Sequence, residues 1–169
     1  DLKIFGPTQD AAQLESSKIW AKEFMNRNSI PTPEFQIFDD PVEAKRFVES
    51  YEKQVVIKAD GLAAGKGVIV CNNKDEAFSA IDKILIDKTF GDAGSKIIIE
   101  ERIDGIEASY IALCDGNVGI PMATSQDHKR IFDDDKGPNT GGMGAYSPTP
   151  VVDNQLAKRI QEEIIDKTM

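Results

Sequence analysis

The sequence is poor in the residues that build disulfide scaffolds, metal centres and membrane spans. It has two cysteines and one histidine in 169 residues. Two cysteines do not make the framework of a small disulfide-rich domain. Cys71 and Cys114 both lie in apolar, strand-like runs and are expected as reduced core thiols. His128 has no second His or Cys at ligand spacing, which argues against a zinc site. No apolar run is long enough to cross a bilayer and no signal peptide is evident, so a cytoplasmic location without a membrane partner is expected. Basic residues are outnumbered 20 to 29, a net charge of -9, which disfavours nucleic acid as a partner. An initiating Met is missing and the last helical run has no C-cap glycine, so both ends are expected to be cuts within a longer fold. The residues carry no signal for an oligomeric state.

What is present is a mixed set of helices and strands. Thr8 is placed to cap a helix running to about Asn28, with Leu14, Ile19, Trp20 and Phe24 inward. Residues 30–33 must be extended around two prolines. Asp40-Pro41-Val42-Glu43 opens a second helix. Val55-Val56-Ile57 and Val68-Ile69-Val70 read as paired strands around a glycine loop, and Asp75 opens a helix bearing Phe78, Ile81, Ile84 and Leu85. Ile97-Ile98-Ile99 is a buried strand by its continuous apolar run. Glu107 to Cys114 alternates as a half-buried strand that Asp115-Gly116 turns into a partner at 118–122. Residues 133–150 read as a long loop, and a last helix spans about 154–167. The hairpins exclude a pure βαβ series. The fold class is α+β, with a small lobe near 29–99 and part of a second lobe after it.

Three segments carry chemistry. In the first, Lys58-Ala59-Asp60-Gly61-Leu62-Ala63-Ala64-Gly65-Lys66-Gly67, glycines let backbone N–H groups approach an anion and two lysines can neutralise a polyphosphate. It is not a Walker A loop, because a strand rather than a helix follows. An ordinary flexible hairpin has the same composition. In the second, Glu100-Glu101-Arg102-Ile103 ends a strand, leaving backbone groups able to match an adenine edge, and Glu107 can accept from ribose hydroxyls. A solvated acidic turn is the bland alternative. The third joins Thr124–Arg130 to the glycine-dense stretch 136–148, too long a loop to be without function or disorder. His128 is equally readable there as a surface histidine, and the acidic run 133–135 as solvated loop.

ADGLAAGKGV at 59–68, SQDHKR at 125–130 and GPNTGGMGAYSP at 137–148 resemble the phosphoribosylamine–glycine ligase (glycinamide ribonucleotide synthetase) family of ATP-grasp enzymes. GPTQDAAQLESSK at 6–18 and TFGDAG at 89–94 extend the likeness over nearly the whole chain, in order. The resemblance implies an ATP-grasp fold with a linking helix and the start of the large lobe at 1–28, the small nucleotide lobe at 29–99, and the hinge with an incomplete large lobe at 100–169. It implies a ligase of purine biosynthesis. ATP phosphorylates glycine, and 5-phosphoribosylamine attacks the acyl phosphate to give glycinamide ribonucleotide, ADP and phosphate.

The resemblance also assigns residues. Lys58 and Lys66 are the catalytic lysines. Lys18, Lys58, Gly61, Gly65, Lys66, Gly67, Glu100, Glu101, Ile103 and Glu107 contact ATP. Asp127, His128, Lys129, Arg130, Pro138, Asn139, Thr140, Gly142, Met143 and Gly144 wall the amine and glycine pocket. The family's Mg²⁺ or Mn²⁺ ligands, a Glu and an Asn in a motif ending RFGDPE, do not occur in this sequence, so no metal ligand is expected within it. The competing readings are a nucleotide-binding module without catalysis, which has no need of the substrate-side motifs, and an ATP-grasp ligase for another acid.

Overall fold

The computed structural model describes residues 4–63, 66–134 and 136–169, and of Asn139 the backbone alone. Two units emerge: Asp1–Arg27 with Thr32–Ile103, and Asn28–Pro31 with Asp104–Met169. The helical segment that the sequence assigns to a linker thus groups with the small sheet.

The first unit runs α1 (Gln13–Ser16), α2 (Lys18–Arg27), β1 (Phe35–Phe38), α3 (Pro41–Ser50), β2 (Val55–Ala59), β3 (Val68–Val70), α4 (Lys74–Ile81) and β4 (Ile97–Glu101). Its antiparallel sheet has the order β1-β4-β2-β3. The register sorts side chains by face, because residues directly opposite share one. Ile57, Ile99, Val55, Ala59 and Ile97 look toward α3 and α4 and make the core with Ala44, Val48, Ala77, Ile81 and Ile84. Val56, Lys58, Ile98 and Glu100 occupy the opposite face. Each fully buried aliphatic side chain contributes about 1.5–3 kcal/mol relative to exposure.

Helix ends follow local hydrogen bonding. Asp40 caps α3 by accepting from Val42 N and Glu43 N at 2.8 and 2.9 Å, with Pro41 as its first residue. The long helix expected from Thr8 is instead two helices. Thr8 accepts from Ala11 N in a preceding turn, and Ser17 between the helices is extended, its Oγ accepting from Trp20 N at 3.1 Å. The cap of α4 is Asn73 rather than Asp75: its side chain accepts from Glu76 N, while Glu76 accepts from Asn72 N, both at 2.9 Å. That reciprocal pairing fixes the start ahead of Asp75.

The second unit contains β5 (Ala112–Cys114), β6 (Gly119–Pro121), β7 (Gln126–Asp127), β8 (Arg130–Phe132), β9 (Lys136–Asn139), β10 (Ala145–Tyr146) and α5 (Asn154–Ile160). The last helix continues through a π turn at Gln161–Ile165 into α6 (Asp166–Thr168). Three two-stranded pairings form, β5 with β6, β7 with β10 and β8 with β9. The strand expected over 107–114 is regular only at 112–114, apart from a bridge between Ser109 and Ser125. The expected loop at 133–150 holds two short strands, because its backbone groups pair with the preceding polar motif. Gly119 is required by packing: a Cβ there would lie 2.4 Å from Ile165 Cγ2.

Cys71 is a buried core thiol as expected, whereas Cys114 is exposed. Cys114 lies opposite Gly119 in the β5–β6 pair, at the end of a two-stranded pairing that leaves it uncovered. Among the described residues no helix is long and apolar enough to cross a membrane.

Candidate functional site

In the first unit the glycine loop is the tip of the β2–β3 hairpin, as the sequence indicates. Lys58 sits near the end of β2 opposite Val68, and Val56 sits opposite Val70. Val68 and Val70 are 43% and 46% exposed. An apolar shelf therefore lies beside a lysine on one sheet face, a combination suited to a flat aromatic group bearing an anion.

The glycines at the loop's base serve close packing. A Cβ on Gly61 would meet Ala93 Cβ at 2.8 Å, and one on Gly67 would meet Ala63 Cβ at 2.7 Å. Gly61 N donates to Ala93 O at 3.2 Å and so is already used within the chain. Lys66 is exposed, with its N donating to Ala63 O at 2.9 Å. Gly65 and the side chain of Asn139 lie outside the described residues.

The first residues of α2 anchor this loop. Asp60 accepts from Ser17 Oγ at 2.9 Å and Ile19 N at 2.8 Å. Lys18 Nζ donates to Gly61 O at 3.0 Å and to Asp60 O at 3.4 Å. Burial lowers the Lys18 pKa, opposed by the Asp60 charge and assisted by Lys58. One turn later Lys22 is buried and pairs with Glu100 Oε2 at 2.5 Å. Lys58 pairs with the other oxygen of Glu100. Ser17, Asp60 and Lys22 are absent from the sequence-based site. Lys22 was findable, since it follows Lys18 at helical spacing and so shares its face.

The hinge residues separate. Glu100 is buried on the Lys58 face, whereas Glu101 points to the other and pairs with Lys53 at 2.8 Å. Glu101 N donates to Glu34 O at 2.9 Å, and Ile103 is exposed.

In the second unit Glu107 accepts from Lys129 Nζ at 2.7 Å, and this bond raises the lysine's pKa. Asp127 lies 3.8 Å from the same ammonium. The two substrate-side motifs zip together through backbone bonds: His128 N to Gly144 O at 2.9 Å, Met143 N to His128 O at 2.7 Å, and Thr140 N to Lys129 O at 2.6 Å. Arg130 donates to Gly137 O at 2.9 Å, and the His128 ring lies 5.7 Å from that of Tyr146. Pro138 is in β9, paired with β8. Gly142 has φ +124°, a conformation that L side chains rarely adopt. Its N donates to Thr140 Oγ1 at 3.1 Å. The structure thus joins residues 127–130 to 137–144 as one ordered strap.

A concavity of about 610 Å³ in the first unit lies beside β1, away from the lysine shelf. Its walls include Glu23, Glu34, Glu100 and Glu101, a charge of the wrong sign for a polyphosphate. Among the described residues no three His, Cys, Asp or Glu side chains are grouped to hold a metal ion.

Residues 16–169 match the family model described as phosphoribosylglycinamide synthetase, ATP-grasp (A) domain. The chain belongs to this family. It is 56% identical over 168 residues to phosphoribosylamine–glycine ligase of Ralstonia nicotianae, covering 99% of this chain and 40% of the relative. A crystal structure of phosphoribosylamine–glycine ligase from Thermotoga maritima superposes with a TM-score of 0.88 at 36% identity, covering 97% of this chain and 41% of that one. The biotin carboxylase domain of Hydrogenobacter thermophilus 2-oxoglutarate carboxylase, solved with MgADP, ADP and bicarbonate, shares the fold alone. Its TM-score is 0.72 at 19% identity, over 96% of this chain and 35% of that one. The fold is therefore ATP-grasp, and the chain spans about 40% of the length of the curated relatives it matches.

Proposed function

We propose that this chain is the nucleotide-handling part of a phosphoribosylamine–glycine ligase, which joins glycine to 5-phosphoribosylamine at the expense of ATP in de novo purine synthesis. The observation that carries the reading is the juxtaposition of Lys58 with an exposed valine shelf at the base of a glycine hairpin. Lys18, Lys58, Lys66 and the glycine loop serve the phosphates, with Lys58 and Lys66 neutralising charge as phosphoryl transfer proceeds. Glu100, Glu101 and Ile103 serve the adenine, and Glu107 the ribose. The strap formed by 127–130 and 138–144 serves glycine and the amine. A carboxylate is a poor electrophile, and phosphorylation gives it a leaving group. A divalent cation, when bound, would neutralise phosphate charge, and the resemblance puts its ligands in a motif that these residues do not contain. The reading places the protein in the cytoplasm with small-molecule partners only.

The test is a chimera. The corresponding segment of the Escherichia coli ligase, 55% identical over 168 residues, is replaced by this chain. ADP release that requires both glycine and freshly made phosphoribosylamine is the expected result. A folded chimera releasing ADP with another acid in place of glycine would overturn the substrate assignment. The isolated chain is expected to bind ATP weakly and to make no glycinamide ribonucleotide.

A further inference from the structure

Lys22 is a cation turned wholly inward. Its side chain is 8% exposed and its Nζ meets Glu100 Oε2 at 2.5 Å. The same nitrogen donates to Thr32 Oγ1 at 2.6 Å and Pro33 O at 3.4 Å, and lies 5.4 Å from the Phe35 ring centroid. Thr32 and Pro33 accept hydrogen bonds from this ammonium and Glu100 meets its charge, and at 8% exposure it is not turned to a ligand. Lys58 differs: its side chain is 26% exposed, and Glu100 is its one ion-pair partner among the described residues. A single buried carboxylate is therefore flanked by two ammonium groups, and only one reaches solvent.

We infer that Lys22 is a positioning residue for the phosphate site. It holds Glu100 as a buried anion, so that Lys58 is aimed by Glu100 yet can turn to an incoming phosphate without leaving a bare buried charge. The inference rests on the reading of Lys58 as a phosphate-contacting group. A solitary Lys58–Glu100 pair would resist opening, because removal of one partner strands the other in a low-dielectric site. With Lys22 present, Glu100 keeps a counter-charge whichever way Lys58 points. Other charges stand near this arrangement: Glu23, Glu34 and Glu101 line a concavity with Glu100, and Lys58 opposes the Lys22 charge. On α2, Lys18 is engaged by the carbonyls of Asp60 and Gly61. From β1, the residue opposite Glu100 is Phe35, and Glu101 faces away toward Lys53. Burial lowers the Lys22 pKa while Glu100 raises it, as expected for a cation held in place by one carboxylate.

The experiment measures ATP affinity and urea stability of the 169-residue chain, with circular dichroism checking each fold. Lys22→Met keeps the apolar stem, Lys22→Gln keeps a hydrogen-bond donor, and Lys22→Arg keeps the charge. In Lys22→Met and Lys22→Gln, ATP affinity should fall roughly tenfold, the scale of one charge-assisted hydrogen bond. Stability should fall as well, because Glu100 loses a close opposite charge. Lys22→Arg should restore both in large part, and Glu100→Gln added to Lys22→Met, which removes the stranded charge, should recover stability; a loss of mere packing would respond to neither. Unchanged affinity in a folded Lys22→Met or Lys22→Gln chain overturns the inference. If neither single variant folds, the double variant decides: recovery of the fold supports the charge pairing, and its failure defeats the inference. Absence of ATP binding by the wild type, with stability still lost in Lys22→Met and recovered in the double variant, would sink the phosphate reading of Lys58 while leaving the charge pairing intact.

Discussion

The two units bury their apolar residues by different rules. In the first, Ile57, Ile97, Ile98 and Ile99 have essentially no exposed surface. In the second, Leu113, Ile120 and Met122 are each more than half exposed, although they too lie on or beside paired strands. A continuous apolar run needs cover on both faces, and β4 receives it from α3 and α4 on one side and α2 on the other. An alternating run needs cover on one face only, and the β5–β6 hairpin has the last helix against Gly119. The site residues follow the same division. In the first unit they are held by side chains that are partly or wholly buried, whereas in the second they are held mainly by backbone pairing within a surface strap.

The sharpest way to break this contrast is thiol chemistry. Alkylation by iodoacetamide at about pH 8 should modify Cys114 and spare Cys71, with rates differing by roughly a thousandfold, because a core thiol reacts only after opening. Mass spectrometry of timed digests reads this directly, and equal rates would mean the first unit's core opens freely. Burial first, and then the Glu76 charge, push the Cys71 thiol from its ordinary 9.0 to about 11. The folded state thus binds this proton more tightly than the unfolded chain. Its contribution to stability is whole below about pH 9 and is lost as pH rises through about 11. Urea denaturation across that window checks the sign.

Core truncation should come next in size. Ile57→Ala removes a side chain with 0% exposure and should cost about 2–5 kcal/mol. Leu113→Ala, at 53% exposure, should cost less than about 1 kcal/mol. Matching losses in chemical denaturation would erase the distinction between the units.

For the site, Lys58→Ala in the chimeric ligase is expected to lower kcat/KM by roughly a hundredfold, the scale of removing one oriented electrostatic group. Lys58→Met keeps the stem and should behave alike if charge is the cause. Kinetics close to the parent's for both variants would remove Lys58 from the mechanism.

The smallest effect expected is at the helix caps. Asp40 caps α3 with two bonds and Asp153 caps α5 with one, to Leu156 N at 2.7 Å. Each Asp→Ala substitution should cost about 1 kcal/mol. Global unfolding should report Asp40→Ala, while local hydrogen exchange at α5 should report Asp153→Ala. A reversal of these readouts would show that the second unit, not the first, sets the unfolding barrier.

The sequence by itself determined the elements whose signals are local. Asp40-Pro41 marked a helix start, Ile97–Ile99 a buried strand and the 58–68 stretch a hairpin tip, because caps, apolar runs and glycines act within a few residues. Glycine and charge composition marked the lysine loop and the two stretches that pair as the strap, and the resemblance gave each an expected role. Tertiary structure alone decided which residues hold one another. Ser17 interrupts the expected long helix and binds Asp60, 43 residues away in sequence. Glu100, read from the sequence as part of an adenine hinge or a solvated acidic turn, became a buried anion because strand register set it on the Lys58 face and α2 brought Lys22 onto it. Glu101, its neighbour, fell on the other face by the same pleat. Local propensity says nothing about such partners, since the energy that fixes a buried charge comes from groups that only folding brings within reach.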